Sequence, residues 1–206
     1  MKALCEVEER DDLILDLLTQ LRHDGMFGGI YGAPDELLLH SGGPQSDLSQ
    51  RSLLMGPTTR RYIVRQPSIE SHSTIGSPLR GEIDIQPNPA PMQIHVEDWD
   101  DGWVHREIIT GTDLADGLRQ LSPHLPSAQG DDFQAGGLAG LLTYDMVQHT
   151  EPLRFQHLPE EDSILMILYL ADRWIVHDRI ESTIEIHSSI DNDGWVPGIE
   201  RILNQR

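Results

Sequence analysis

The run Ser163-Ile164-Leu165-Met166-Ile167-Leu168-Tyr169-Leu170 is almost continuously apolar and of strand length, and it constrains the fold more than any other segment. A strand that is apolar on both alternating sets of side chains has no face to give to water, so this run predicts a central, buried strand. Trp174 to His177 and Thr183 to His187 alternate between apolar and polar positions and predict its partners in the sheet core. Upstream, Glu36 to His40 reads as a strand. Ser52 to Met55 and Arg61 to Arg65 predict a hairpin around Gly56-Pro57-Thr58, and Gln93 to Val96 with Val104 to Ile109 predict a second across the acidic turn Glu97 to Gly102.

Helical periodicity is confined to a few places. Leu13, Leu15, Leu17, Leu18 and Leu21 predict a helix over Asp11 to Arg22, ended by the glycine-rich stretch Gly25 to Gly32. Thr112 is positioned to cap a helix that stops near Leu121, before Pro123 and Pro126. Val196 to Gln205 predicts a terminal helix with Pro197 in its first turn and Ile199, Ile202 and Leu203 on one stripe. From Gln66 to Pro91 the chain is rich in Pro, Ser and Gly and reads as a meandering, partly exposed segment. Strand patterns outnumber helical ones without regular βαβ alternation, which predicts an α+β fold with mostly antiparallel sheets.

At 206 residues, 38% of them hydrophobic, the chain can bury a substantial core in one domain, or in one domain plus a small lobe. No uncharged apolar run approaches the roughly 18 to 20 residues of a membrane span. The start Met-Lys-Ala-Leu-Cys-Glu turns acidic rather than into a signal-peptide core, so a cytoplasmic protein is expected. Cys5 is the sole cysteine, which excludes an internal disulfide. Thirty-four acidic against fifteen basic residues give a formal charge of -19, which repels nucleic acid and anionic membranes as partners. Lys2 is the only lysine. An acidic, lysine-poor surface fits adaptation to high salt, and it equally fits an ordinary soluble acidic surface.

The run Gly136-Gly137-Leu138-Ala139-Gly140-Leu141-Leu142-Thr143-Tyr144-Asp145-Met146-Val147, with Glu151-Pro152-Leu153 shortly after it, carries the family signal. Adjacent glycines permit close backbone approach, Leu138 to Leu142 predicts a short buried strand, and Tyr144 to Gln148 predicts the start of a helix capped by Thr143. The run resembles the GGL-x-G-x-x-x-YD-x-V…E pattern in the amino-terminal domain of anthranilate synthase component I and of its relative, aminodeoxychorismate synthase component I. Every fixed letter is present. Leu168 to Asp178 is similar to that family's strand pair ending in V-x-D-H, with His177-Asp178 in reversed order. Leu37-Leu38-Leu39-His40-Ser41 resembles the family's Leu-Leu-Glu-Ser segment, and Asp47-Leu48 with Ser52-Leu53-Leu54 resembles the family's next segment.

The resemblance implies the same α+β class over most of the chain. It also implies that chorismate, magnesium and the acid/base groups belong to a larger carboxy-terminal domain, so that this chain holds no catalytic residue and no cofactor. The expected partners are that chorismate-binding domain, in cis or as a separate chain, and a glutamine amidotransferase subunit. In tryptophan-regulated members the segment matching Leu39, His40 and Ser41 builds part of a feedback site for L-tryptophan. A strand-end serine offers a hydroxyl to an amino acid's charged groups. His40 stands where the family has glutamate, and a histidine pairs poorly with an ammonium group. The other reading of these residues is a strand-to-turn serine beside a surface histidine.

The stretch holding Gly136, Gly137, Gly140, Tyr144, Asp145 and Glu151 is mainly architectural in the family, fixing this domain against the catalytic one. Read physically, Asp145 complements a helix dipole and Tyr144 packs against the glycine pair. The competing reading makes Tyr144, Asp145 and Glu151 an acid/base set. The histidines approach ligand spacing at His149, Glu151 and His157, and at His177, Asp178 and His187, without forming a compact metal motif. No nucleophile elbow, phosphate loop or dinucleotide fingerprint is present. The sequence therefore predicts a structural and regulatory domain of a tryptophan-pathway synthase. The alternatives are a free-standing sensor of aromatic amino acids and the equivalent domain of aminodeoxychorismate synthase.

Overall fold

The computed structural model describes residues 1–8, 10, 12–42, 50–66, 91–125, 137–151 and 160–205. The fold is α+β, with two five-stranded antiparallel sheets. The first contains β1 (Lys2–Glu6), β2 (Leu37–Leu39), β3 (Arg51–Met55), β9 (Arg173–Asp178) and β10 (Thr183–Ser188), in the order β1-β10-β9-β3-β2. The second contains β4 (Arg60–Arg65), β5 (Met92–Trp99), β6 (Trp103–Gly111), β7 (Gly137–Leu142) and β8 (Ile164–Ala171), in the order β6-β5-β4-β8-β7.

Each sheet has a hydrophobic core of its own. In α1 (Leu13–His23) the buried residues are Leu13, Ile14, Leu17, Leu18 and Leu21. Ile14 takes the place expected for Leu15, which faces outward, because the i, i+3, i+4 stripe rather than the leucine count sets the buried face. α3 (Trp195–Asn204) buries Trp195, Val196, Ile199 and Ile202. Both pack on Leu54, Ile175, Ile184 and Ile186 of the first sheet. Trp195 is fully buried, with Phe27 and Tyr31 edge-on at 6.3 and 6.4 Å. On the second sheet, Tyr62, Val64, Met92, Ile94, Val96, Met166 and Leu168 form a separate core capped by Leu121 and Met146.

The chain passes directly from one sheet to the other at two places, and both meet at one corner. Residues 56 to 59 link β3 to β4, and Asp172 links β8 to β9. The Gly56 amide donates to the Arg173 carbonyl at 2.9 Å, and the Thr58 hydroxyl donates to the Leu170 carbonyl at 2.7 Å. Arg173 is buried; its guanidinium donates to the carbonyls of Tyr31 and Pro57 and to the Asp193 carboxylate at 2.5 Å. Asp193 in turn accepts from the Trp195 amide at the start of α3. A β-carbon on Gly56 would lie 2.8 Å from that of Arg173 and 2.9 Å from the Trp195 ring, so the corner closes only over glycine.

The corner corrects two expectations. Ser52 to Met55 and Arg61 to Arg65 form no hairpin, because β3 pairs with β2 and β9 while β4 pairs with β5 and β8. The strand from Ser163 to Leu170 is interior, yet its neighbours are β4 and β7; Trp174 to His177 and Thr183 to His187 pair with each other in the other sheet. Alternation tells which face a residue takes and not which sheet its strand joins. The β5–β6 hairpin forms as expected, in register from Met92↔Gly111 to Trp99↔Trp103 with one bulge. In α2 (Leu114–Gln120) the cap is Asp113, whose carboxylate accepts from the Asp116 amide, while Thr112 donates to Asp116 instead. Among the described residues no helix is long and apolar enough to cross a membrane.

Candidate functional site

The face of the first sheet turned away from α1 and α3 carries an apolar row. Register places Leu39, Leu53, Val176, Glu185 and Leu4 side by side across five strands. The next row holds Leu37, Met55, Trp174, His187 and Lys2. Leu4 and Leu39 are 62% and 59% exposed, large values for leucines on one sheet face. At the corner end of this face β7 approaches. Leu37, Leu39, Leu53, Gly137, Leu138, Ala139, Gly140, Ala171 and Trp174 enclose a cleft of about 330 Å³. Leu37 and Leu39 on one side and Gly137 to Gly140 on the other thus line it together with Leu53, Ala171 and Trp174.

Trp174 is buried at the edge of this lining. Its ring stacks on His187 at 4.8 Å and 7°, and His187 Nε2 lies 3.1 Å from the Glu185 carboxylate, which also binds Lys2. Burial pulls the His187 pKa down against the pull of Glu185, so the ring favours its neutral form. Behind the cleft wall, burial pushes the Asp172 carboxyl up to about 6, with Arg173 and the Thr59 hydroxyl opposing the shift. At the β4 and β8 side, burial with Asp35 alongside pushes the Tyr169 hydroxyl up to about 12.

The residues predicted for an amino acid ligand divide between this cleft and its surroundings. Leu39 lines it. His40 and Ser41 do not; they are tied to β3 instead. The Ser41 hydroxyl donates to the Arg51 carbonyl at 2.6 Å, and the Ser41 amide donates to the Ser52 hydroxyl at 3.0 Å. His40 Nδ1 lies 3.3 Å from that same hydroxyl, and Arg179 donates to the Ser41 carbonyl. Nearby, burial alone would raise the Asp178 carboxyl, but Arg51 and the amides of Glu181 and Ile180 hold it below the usual range.

The glycine-rich motif also divides. Gly136 lies outside the described residues. A β-carbon on Gly137 would meet nothing within 4 Å, whereas on Gly140 it would lie 2.0 Å from the Ile167 carbonyl oxygen of β8. Gly140 is therefore required by close backbone approach, and Gly137 is not. The expected burial of this strand is overturned: β7 is the edge of its sheet, with Leu141 and Leu142 about half exposed. Residues 144 to 149 form a 3-10 helix rather than an α-helix. Thr143 does not cap it, since its hydroxyl donates to the Leu165 carbonyl. Tyr144 does not pack against the glycines; it is 88% exposed, because the strand ends with its ring directed to solvent. Asp145 stands in the first turn as expected, and Glu151 is exposed just beyond it.

Sequence reasoning did not assign Leu37, Leu53, Ala171 and Trp174 to a site, yet they complete the cleft. Ala171 and Trp174 lie in the stretch Leu168 to Asp178 that resembles the family's strand pair, which gives them no ligand role; they flank Asp172, where one sheet gives way to the other. Among the described residues no group of three or more His, Cys, Asp or Glu could hold a metal ion. The arrangement can seat apolar groups, and its described lining offers no converging acid and base. Set against models of known protein families and against curated proteins, the chain matches none of them.

Proposed function

We propose that this chain is the amino-terminal structural and regulatory domain of an anthranilate synthase component I-like protein. In this reading it scaffolds a chorismate-converting domain that supplies magnesium and the acid/base chemistry, with a glutamine amidotransferase delivering ammonia. The observation that carries the reading is the cleft itself. Two segments about a hundred residues apart, each resembling the family independently, are neighbours across one apolar hollow. The exposed Leu4, Leu39, Leu141 and Leu142 support a covered surface rather than a solvent face. The test is to add this chain to a separately produced chorismate-converting polypeptide of the same organism, with ammonia and magnesium. Anthranilate formation, followed by its fluorescence, is expected to rise and saturate at one equivalent. Unchanged formation at every ratio would overturn the scaffold reading.

One feature favours a second reading, in which the cleft seats an aromatic amino acid. Its volume falls in the lower range of small-molecule sites, and its described lining is apolar, as an indole would require. The described lining contains no charged residue to hold an ammonium or carboxylate, and the Ser41 hydroxyl is already bonded to backbone, which ranks the sensor below the scaffold. Calorimetric titration with L-tryptophan decides between them: saturable heat that disappears in Leu39→Asp assigns regulation to this cleft.

A further inference from the structure

The chain contains four Asp-Gly pairs, Asp24-Gly25, Asp101-Gly102, Asp116-Gly117 and Asp193-Gly194. In such a pair the glycine amide nitrogen can attack the aspartate side-chain carboxyl carbon, because glycine brings no side chain to shield that nitrogen. The attack needs a carboxyl free to swing onto the next amide, and an amide that is not already donating. The four pairs differ in both respects.

Three of them are held. Asp116 stands in the first turn of α2, where its carboxylate accepts from the Thr112 amide at 3.0 Å and the Gly117 amide donates to the Asp113 carbonyl at 2.9 Å. Just past α1, the Asp24 carboxylate accepts from Gln20 Nε2 at 2.9 Å and lies 3.0 Å from His23 Nδ1, and the Gly25 amide donates to the Arg22 carbonyl at 3.2 Å. Before α3, the Asp193 carboxylate, 6% exposed, accepts from Arg173, the Ser188 hydroxyl and the Trp195 amide. His23 holds the Asp24 carboxyl below the usual range, and the Thr112 amide does the same for Asp116. Burial alone would raise the Asp193 carboxyl, but Arg173, the Trp195 amide and Ser188 bring it below that range. The neutral acid, the form that can release its hydroxyl, is therefore scarcer at all three.

Asp101-Gly102 stands at the tip of the β5–β6 hairpin. Asp101 is exposed and takes a φ of 52°, a left-handed backbone uncommon for a residue with a β-carbon. The bond of this turn, from the Asp100 amide at 2.8 Å, uses the Gly102 carbonyl. Among the described residues neither the Asp101 carboxylate nor the Gly102 amide has a hydrogen-bond partner. A β-carbon on Gly102 would meet nothing within 4 Å, so the space beside the amide is open. Below the tip the hairpin is anchored. The Trp99 amide donates to the Thr59 carbonyl at 2.8 Å, Asp98 binds Arg60 and Arg106, and the Trp99 and Trp103 rings meet edge-on at 5.4 Å.

We propose that Asp101 is a site of spontaneous isomerisation to isoaspartate, through a cyclic imide closed between its side chain and the Gly102 amide. The Gly102 nitrogen bonds to Asp101 Cγ, and the amide proton leaves with the carboxyl hydroxyl as water. Water then adds to one of the two imide carbonyls. Opening at Cγ restores aspartate; opening at the main-chain carbonyl leaves the chain running through Cβ and Cγ. Nothing is oxidised or reduced. The new linkage has one more backbone carbon and frees the former main-chain carboxyl, so the tip keeps its charge while the backbone leaves the left-handed conformation. The anchors below confine the change to the tip. This modification is independent of the scaffold reading.

The test holds this chain for weeks at body temperature and mildly acidic pH in water enriched in heavy oxygen. Peptides are then mapped by electron-transfer fragmentation, which separates isoaspartate from aspartate. Isoaspartate at Asp101 is expected to accumulate about tenfold or more faster than at Asp24, Asp116 and Asp193, with heavy oxygen in the new carboxylate. Gly102→Ala, which the open space admits, is expected to slow it by about tenfold with the melting temperature retained, since the methyl shields the attacking nitrogen. Asp101→Glu, whose imide would need a six-membered ring, is expected to abolish it. No isoaspartate at Asp101, equal accumulation at all four pairs, or Gly102→Ala isomerising as fast as the parent overturns the assignment.

Discussion

At the scale of single residues, the sheet corner and the β7 backbone make the sharpest demands. Asp172 is 4% exposed and its folded pKa of about 6 lies above the ordinary value of 3.8. The protonated form is thus favoured by folding, and the benefit is complete at low pH and lost as pH rises through 6. A shift of about two units costs of the order of 3 kcal/mol at neutral pH. Asp172→Asn removes the titration, so its stability relative to the parent should rise by roughly 2 kcal/mol between pH 4 and pH 7. Urea unfolding of both proteins across that range checks it, and a parallel pair of curves would place Asp172 in a far wetter site. Gly140→Ala forces a methyl into the Ile167 carbonyl and should destabilise by about 2 kcal/mol or more, whereas Gly137→Ala should be close to neutral. Equal melting points for the two variants would contradict the close approach of β7 to β8. The motif spells out both glycines, and only the packed structure separates the required one from the permitted one.

At the scale of elements, local patterns are legible in the sequence and long-range partnerships are not. The helices α1 and α3 follow from leucine and isoleucine periodicity, and the β5–β6 hairpin follows from alternation around an acidic turn, since each depends on neighbours in sequence. The corner depends on Gly56 meeting Arg173 and Thr58 meeting Leu170, contacts between segments more than a hundred residues apart that no periodicity encodes. That is why strands in different sheets read as a hairpin, and why an edge strand, apolar along its whole length, reads as a buried one. A continuously apolar strand is either interior or an edge awaiting cover, and sequence cannot distinguish the two. The candidate site is legible to the same extent. Leu39, Gly137 and Gly140 stand out in the sequence and line the cleft, while Trp174 and Leu53, in other family-like stretches, carry no site role there and enter it through the long-range packing of the corner.

At the scale of the whole molecule, charge and exposed leucine act against each other. A formal charge of -19 repels other copies and also strains the compact fold, so molar salt should raise the melting temperature of the free chain by screening that repulsion. A melting temperature flat from low to molar salt would assign the acidic composition to solubility alone. Exposed Leu4, Leu39, Leu141 and Leu142 sit on or beside the sheet face turned away from α1 and α3, and they support the proposed scaffold role. The most direct measurement is the mass, by light scattering after size exclusion in high-salt buffer, of this chain mixed with the chorismate-converting polypeptide. A single species at the summed mass of one copy of each is the predicted result. Two species that elute independently, at concentrations well above micromolar, would contradict the account.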